Sequence, residues 1–199
     1  MATRRRDTPR KGDLREQAIL DTAEELLGRE HTEPMTVETI AKGAGISRAS
    51  LYFYFGSKQE VLTALVARTV AVLTEDARAA SAADGSSPGE TVRDAVLLTA
   101  KMWREHGRVM RAAVDLAPAV PEIGELWDGT VARYAEAMTR VLARAGVPEN
   151  EGPAGAAALA HTLCWMTERA FYRASRTGDP AAIDAAAETC AEIWRRALA

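Results

Sequence analysis

The stretch Gly45-Ile-Ser-Arg-Ala-Ser-Leu-Tyr-Phe-Tyr-Phe-Gly-Ser-Lys58 decides how the chain is organised. It places two tyrosines, Tyr52 and Tyr54, on a short predicted helix among serines, an arginine and a lysine. A tyrosine can lie against a sugar and hydrogen-bond a phosphate, while arginine and serine can reach the edges of bases. The stretch therefore predicts a helix that reads DNA.

A tight turn precedes this helix. Thr36 is predicted to cap a short helix, and Ser47 is predicted to cap the reading helix. Between them, residues 42–45 contain two glycines, which let the chain turn sharply and let two helices approach closely. Leu51 and Phe55 are expected to point inward. Two helices joined by such a turn indicate a helix-turn-helix unit.

One more helix is predicted before this pair. Asp13 and Glu16 have the spacing of a capping box, and apolar residues follow at helical spacing until about Gly28. The three helices together predict a DNA-binding domain over residues 13–58. Residues 1–12 lack periodicity and are predicted to form a flexible arm.

The remaining residues, 59–199, predict a helical body. Ser57 and Ser87 each precede a glutamate by three residues, which is the capping-box pattern, and Asp179 before Pro180 is predicted to cap the last helix. The helix after Ser57 is expected to bury Val61, Leu62, Leu65, Val66, Thr69, Val72 and Leu73. Later segments repeat apolar residues at spacings of three and four, with a break expected near Gly107 and a helix start at Pro153. No window alternates as a strand would. The predicted fold is all-α with about nine helices.

Charge is distributed unevenly along the chain. Residues 1–15 contain six basic and two acidic residues, whereas the whole chain has a net charge of −3. A basic arm on an acidic body suggests that the arm meets an anion, with DNA as the first candidate. A solvated, disordered tail explains the same cluster equally well.

The two cysteines, Cys164 and Cys190, lie far apart and show no metal-binding spacing. They are expected to be reduced core residues of a cytoplasmic protein. No apolar region follows the basic N-terminal residues, so no signal peptide is expected, and no run of 18 or more apolar residues predicts a membrane span. Neither a metal site nor a cofactor motif stands out, so no cofactor is predicted.

The motif resembles the TetR family of bacterial transcriptional regulators. The carriers are residues 40–47 (Ile-Ala-Lys-Gly-Ala-Gly-Ile-Ser) and residues 51–58 (Leu-Tyr-Phe-Tyr-Phe-Gly-Ser-Lys). The family more often has histidine where this chain has Tyr54. The body is similar to a narrower group of mycobacterial repressors, through Glu125-Leu-Trp127, Thr167-Glu-Arg169 and Ile193-Trp194.

The resemblance implies a homodimer that dimerises through its last two helices and binds a palindromic, double-stranded DNA operator. It implies a body that releases DNA when a small hydrophobic effector binds. The positions expected to contact DNA are Thr36, Ser47, Arg48, Ala49, Ser50, Tyr52, Phe53, Tyr54 and Lys58. Those expected to contact the effector, from the resemblance and from periodicity, are Trp103, Trp127, Tyr134, Met138, Thr167, Phe171 and Trp194.

Among the DNA-binding positions, Arg48 is the first choice for base contact, because its planar fork matches guanine O6 and N7. Tyr52, Tyr54 and Lys58 match positions that contact the DNA backbone. Phe53 is expected either to touch a thymine methyl or to pack within the head. Glu168 with Arg169 is interpreted as a structural ion pair.

Three alternatives remain open at this stage. The protein can be an activator or a global regulator without a ligand. It can be an enzyme that uses an aromatic cavity on a lipophilic substrate, although no catalytic constellation is visible. The tryptophans of the body can also form a close-packed core without a ligand site.

Overall fold

The computed structural model describes residues 11–28, 34–81 and 86–198, and these form helices and connecting turns without a strand. The eight helices are α1 (Lys11–Leu27), α2 (Val37–Gly43), α3 (Arg48–Tyr54), α4 (Lys58–Ser81), α5 (Pro88–Leu116), α6 (Pro121–Arg144), α7 (Ala156–Ser175) and α8 (Pro180–Ala197). The all-α prediction is confirmed. The chain divides into two compact units, residues 1–65 and 66–199, with the boundary inside α4.

The first unit is a three-helix head in which α1 packs on α2 and α2 packs on α3. Its core contains Ile19, Ala23, Ile40, Leu51 and Phe55, all buried. The turn between α2 and α3 depends on Gly45, whose φ of 66° lies in the left-handed region that favours glycine. The predicted helix-turn-helix geometry follows from this turn.

Close approach of α1 and α2 depends on a second glycine. A Cβ added to Gly43 would lie 2.4 Å from Cγ2 of Thr22 on α1. The Thr22 side chain is held in place because its Oγ1 donates to the carbonyl of Ala18 at 2.8 Å. Only a residue without a side chain fits at this point of contact.

Helices α5 to α8 form most of the second unit, in which α5 packs on α6, α7 and α8, and α7 packs on α6 and α8. Its core is apolar and rich in aromatic and methyl-bearing side chains. Members of that core are Val92, Val96, Ala100, Val109, Ile123, Leu142, Phe171, Ile183 and Ala187. No helix in the described part of the chain is both long and apolar enough to cross a membrane.

Several helix ends agree with the sequence predictions. The side chains of Thr36, Ser47, Ser87 and Asp179 each accept a backbone N–H at the start of the helix that they precede. At Ser87, the Glu90 carboxylate completes the capping box, and these hydrogen bonds lower the pKa of Glu90. Short-range cap chemistry was therefore readable from the sequence.

The predicted break near Gly107 is wrong, and this accounts for eight helices where about nine were expected. Helix α5 runs without interruption through Gly107, which is buried and lies beside Ser175 of α7. Arg111, one turn later, donates to the Ser175 carbonyl at 2.9 Å. A glycine inside a helix costs about 1 kcal/mol, which tertiary packing of this kind readily offsets.

Two predicted helix starts and one core position are also corrected. Helix α1 begins at Lys11, so Asp13 lies within its first turn and residues 11 and 12 are not part of a flexible arm. Residues 1–10 of that predicted arm lie outside the described residues. Helix α7 begins at Ala156 after a turn that contains Pro153. On α4, Val70 is buried while Val72 is exposed.

Candidate functional site

The predicted reading helix, α3, is short and is fixed at both ends. The Ser47 side chain accepts from the backbone N–H of Ser50 at 3.1 Å, and the two hydroxyls lie 3.0 Å apart. Leu51 anchors the inner face of the helix in the head, and Phe55 closes its C-terminus. The remaining side chains of α3 are thereby held on the outer face.

The nine positions predicted to contact DNA share one property, which is that none of them is buried. Thr36, Ser47, Arg48, Ala49, Tyr52 and Phe53 are exposed, and Ser50, Tyr54 and Lys58 are half-buried. Thr36 and Ser47 also serve as helix caps, so their hydroxyls already accept backbone N–H groups. Each hydroxyl also lies within hydrogen-bonding distance of a second one, Thr39 for Thr36 at 3.2 Å and Ser50 for Ser47 at 3.0 Å, so a phosphate would share these groups with the protein.

Phe53 is the most exposed large apolar residue of the described chain, at 85%. Its ring meets the edge of the Tyr54 ring, with centroids 5.4 Å apart. The alternative in which Phe53 packs within the head is therefore wrong. An apolar ring held in solvent beside serine, arginine and tyrosine is typical of a contact surface.

Lys58 stands at the first residue of α4, where the chain is again capped. Ser57 Oγ accepts from the backbone N–H of Glu60 at 3.1 Å. The Glu60 carboxylate in turn accepts from the backbone N–H of Gly56 at 2.9 Å. These bonds fix where α4 begins and therefore where the Lys58 side chain leaves the backbone.

A cavity of about 90 Å³ lies within the second unit, among α5, α6, α7 and α8. Its walls are mostly aromatic, aliphatic and thioether groups. The lining residues are Ala95, Val96, Thr99, Met102, Trp103, Met110, Trp127, Thr130, Val131, Tyr134, Met138, Cys164, Thr167, Glu168 and Trp194. Trp103 and Trp127 meet edge to face, with ring centroids 6.2 Å apart. Such a concave apolar site with few polar groups is the usual form of a small-molecule site.

Six of the seven positions predicted to contact an effector line this cavity. Phe171 is the exception, because it is fully buried elsewhere in the core. Phe171 lies two helical turns beyond Cys164 on the same face of α7. Its side chain therefore lies on the same side of the helix as the cavity residues but does not reach the cavity wall. Trp165, one residue after Cys164, does not line the cavity either.

Thr167 is already engaged within the protein. Its Oγ1 accepts a hydrogen bond from Nε1 of Trp194 at 2.9 Å. The Cys190 thiol on α8 also faces this hydroxyl. Burial raises the pKa of the thiol, and the contact with Thr167 offsets only part of that effect. Thr167 therefore ties α7 to α8, and its acceptor is no longer fully available to a ligand.

Glu168 carries the polar chemistry of the cavity. Its side chain is 7% exposed, and among the described residues neither of its carboxyl oxygens makes a hydrogen bond. Nε1 of Trp127 is likewise buried without a hydrogen bond among the described residues. This N–H lies close enough to the Glu168 carboxyl to favour its ionised form, although the two groups are not in hydrogen-bonding geometry. Burial outweighs that influence and the attraction of Arg169, so the pKa of Glu168 is raised.

The predicted ion pair of Glu168 with Arg169 is present but loose. Nε of Arg169 lies 3.7 Å from Oε2 of Glu168, and the Arg169 side chain is 54% exposed. The Arg169 guanidinium also lies over the Tyr172 ring, 4.9 Å from its centroid. An exposed partner at this distance is screened by solvent and compensates little of the cost of burying a carboxylate.

Sequence reasoning missed Glu168 as a cavity residue. The signal was available in the helical spacing, since Cys164, Thr167 and Glu168 stand at i, i+3 and i+4 on one face of α7. A carboxylate in an otherwise apolar stripe marks either a buried partner or a ligand contact. Because Arg169 is adjacent to Glu168, a buried partner was the obvious interpretation.

Comparison with known proteins gives two family matches. Residues 19–65 match the bacterial regulatory proteins of the tetR family. Residues 92–198 match the C-terminal domain of the transcriptional regulator EthR. The first match covers the head and the second covers the helices that enclose the cavity.

Individual relatives agree with these matches. The HTH-type transcriptional regulator EthR of Mycobacterium tuberculosis is 32% identical over 209 residues, which cover 96% of this chain and 89% of that protein. EthR of Mycolicibacterium smegmatis is 29% identical and covers 98% and 90%. A TetR-like regulator from Rhodococcus sp. RHA1 has the same fold, with a TM-score of 0.70 at 22% identity over 95% of this chain and 97% of that one.

Proposed function

Because this chain belongs to the tetR family of bacterial regulatory proteins and has a C-terminal domain of the EthR type, we propose that it is a homodimeric repressor released by a small lipophilic effector. The chain is a DNA-binding transcriptional regulator and not an enzyme, since its relatives over nearly the whole length are regulators. We propose in addition that this regulator is a dimer, that its operator is palindromic and that it responds to an effector.

The outer face of α3 supports the DNA-reading part of the proposal. Helix α3 carries the guanidinium of Arg48, the hydroxyl of Ser50 and the ring of Phe53, none of which is buried. These three groups suit a guanine edge, a phosphate or base, and a thymine methyl, respectively. Thr36, Tyr52, Tyr54 and Lys58 are also accessible and suit phosphate contacts, which fix register without choosing a sequence.

The cavity of the second unit supports the effector. A fully packed core would leave no space there, so the observed cavity disfavours the alternative of a close-packed aromatic core. The proposal requires two conformations, one that binds DNA and one that does not. An effector releases DNA only if its affinity for the second conformation exceeds its affinity for the first. Helix α4 carries the chain from one unit to the other and is the covalent route for such a change.

Dimerisation through the last two helices requires a free outer surface on α7 and α8. The outer side of α7 includes the exposed His161 and Thr162, and Ile193 is an exposed apolar residue of α8. Cys190 is buried inside the protomer, as expected of a core cysteine. The interface must therefore use the side of α8 that faces away from Cys190.

Selection of binding sites from a random DNA pool by the full-length protein tests the proposal. The expected product is a palindrome whose half-sites lie about one helical turn apart, or a multiple of that spacing. Sedimentation of the free protein should give a dimer, and the selected DNA should be released by at least one small apolar compound. Recovery of an asymmetric sequence, or a monomer at micromolar concentration, would contradict it.

A further inference from the structure

The Glu168 carboxyl lines the cavity without a hydrogen bond among the described residues, and the neighbouring Trp127 indole N–H is not in hydrogen-bonding geometry with it. We infer that the ligand of the cavity is a small lipophilic amine, whose ammonium group is held by the Glu168 carboxylate and whose apolar part lies against Trp103 and Trp127. This inference rests on the proposed function and names the chemistry of its effector.

The first argument is the hydrogen-bonding state of Glu168. Its two carboxyl oxygens are buried in the wall of the cavity without a hydrogen bond from the described residues. A buried carboxyl in that condition is costly, so a protein retains one where a partner arrives from outside. The loose contact with Arg169 at 3.7 Å does not meet hydrogen-bond geometry.

The second argument is the charge of the cavity. Of its fifteen lining residues, those that titrate are Glu168, Tyr134 and Cys164, and none of these is a base. Burial raises the pKa of the Cys164 thiol to about 12, so this thiol stays neutral. The walls therefore hold one acidic side chain and no basic one, while Arg169 lies largely in solvent. Such a cavity favours a cation and disfavours an anion such as a fatty acid.

The third argument concerns the groups around the carboxyl. An ammonium has three donors, so it can satisfy both oxygens of Glu168, whereas an alcohol has one. A charge-assisted hydrogen bond is roughly twice as strong as a neutral one. The indoles of Trp103 and Trp127 line the same cavity, and aromatic faces attract a desolvated cation.

The fourth argument is size. A cavity of about 90 Å³ suits a short aliphatic or single-ring compound, not a long acyl chain. Met102, Met110 and Met138 form part of its wall, and unbranched thioether side chains repack more readily than branched ones. A chain of about six carbons is therefore a reasonable probe.

Titration calorimetry of the full-length protein with hexylammonium, 1-hexanol and hexanoate tests this directly, because the three share a chain and differ in charge. We expect hexylammonium to bind about tenfold or more tightly than 1-hexanol, as a charged hydrogen bond requires. Hexanoate should bind weakest. In Glu168→Gln, which keeps the shape and removes the charge, the advantage of the amine over the alcohol should disappear.

Met138→Leu is the matched control, since it changes the apolar wall and leaves the carboxylate. The preference for the amine should persist in this variant. If Glu168→Gln fails to fold, the wild-type protein still decides the question. Amine affinity should fall with decreasing pH as Glu168 becomes protonated, while 1-hexanol affinity should stay constant.

The outcomes separate the two proposals. Equal affinity for amine and alcohol in the wild type, or a preference that survives in Glu168→Gln, would overturn the amine inference and leave a lipophilic effector possible. Absence of binding by all three probes would overturn the amine inference, whereas the lipophilic effector stands or falls with release of the selected DNA by apolar compounds. Amine binding that leaves the selected operator bound, measured by fluorescence anisotropy, would support the site and contradict effector-driven release.

Discussion

The indole N–H of Trp194 donates to Thr167 Oγ1 across 2.9 Å, and this hydrogen bond joins α8 to α7 in the wall of the cavity. Both partners are buried, so water cannot replace either of them. The bond therefore stabilises the packing of α8 on α7 and also limits what Thr167 can offer to a ligand.

Thr167→Val should lower the free energy of unfolding by about 1–3 kcal/mol, because the isosteric change leaves the Trp194 N–H buried without an acceptor. Urea denaturation followed by tryptophan fluorescence measures the change. Thr162→Val is the control on the same helix, since Thr162 is exposed and its loss should change stability by less than about 0.5 kcal/mol. Equal effects at the two threonines would show that the hydrogen bond contributes nothing specific.

Glu168→Gln should stabilise the free protein at neutral pH. Burial raises the pKa of Glu168 above its ordinary value of 4.5, so the folded state holds this proton more tightly than the unfolded chain does. The wild type then loses stability as pH rises from the unfolded pKa through the folded one, while the glutamine variant does not.

The stability difference between Glu168→Gln and wild type should accordingly be greatest above the raised pKa and should vanish below about pH 4. Urea denaturation at a series of pH values measures it. Glu188→Gln, at an exposed position of α8, is the control and should show no such dependence. A destabilised Glu168→Gln at pH 8 would indicate that the pair with Arg169 is a strong structural contact.

Gly43→Ala should destabilise the head by about 1–3 kcal/mol, the usual cost of overpacking. The new Cβ would lie 2.4 Å from Thr22 Cγ2, and that methyl cannot rotate away without breaking the bond from Thr22 Oγ1 to Ala18. Thr22→Ser removes the methyl and keeps the hydroxyl, so the double variant should regain most of the loss. Thermal unfolding of the full chain measures both changes.

Gly12→Ala provides the comparison for that experiment. Gly12 lies inside α1 and has open space where a Cβ would be, so alanine should be neutral or stabilising by up to about 1 kcal/mol. If Gly43→Ala behaves like Gly12→Ala, the contact between α1 and α2 is looser than the 2.4 Å distance indicates.

Arg48→Ala and Lys58→Ala should affect DNA binding in different ways. Loss of a base-reading arginine should cost about 1–3 kcal/mol per protomer on the selected operator and relax the preferred base at one position. Loss of a phosphate-binding lysine should weaken all sequences alike and reduce the salt dependence by about one counterion per protomer. Anisotropy titrations on operator and scrambled DNA at several salt concentrations separate them. An equal loss of affinity for operator and scrambled DNA in Arg48→Ala would indicate that Arg48 contacts the DNA backbone.

Local chemistry was the part of this protein that its sequence predicted well. Thr36, Ser47, Ser87 and Asp179 cap their helices because each bond spans only two or three residues, and Gly45 adopts the left-handed backbone that the turn requires. What failed depended on distant neighbours. Gly107 does not break α5 because α7 packs beside it, and no local pattern reports that contact.

The cavity shows the same division. Helical periodicity placed Trp103, Trp127, Tyr134 and Met138 on inward faces, and all four line it. Periodicity predicts which side of a helix a residue occupies but not which part of the core its side chain reaches. For this reason Phe171 was predicted to contact the effector, although it does not line the cavity. Nor could it show that the Thr167 hydroxyl accepts from Trp194, or that the Glu168 carboxyl and the Trp127 indole N–H are buried without a hydrogen bond among the described residues.

The unbroken course of α5 has a mechanical consequence. At 1.5 Å per residue, its 29 residues form a rod of about 43 Å. Residues from Ala95 to Met110 contribute to the cavity wall, and a glycine hinge within that span would let one half of the rod yield alone. Gly107 lies in that span but is not such a hinge, because α5 continues through it beside α7. Under the proposed function, a guest that displaced Trp103 would therefore act on the whole length of α5.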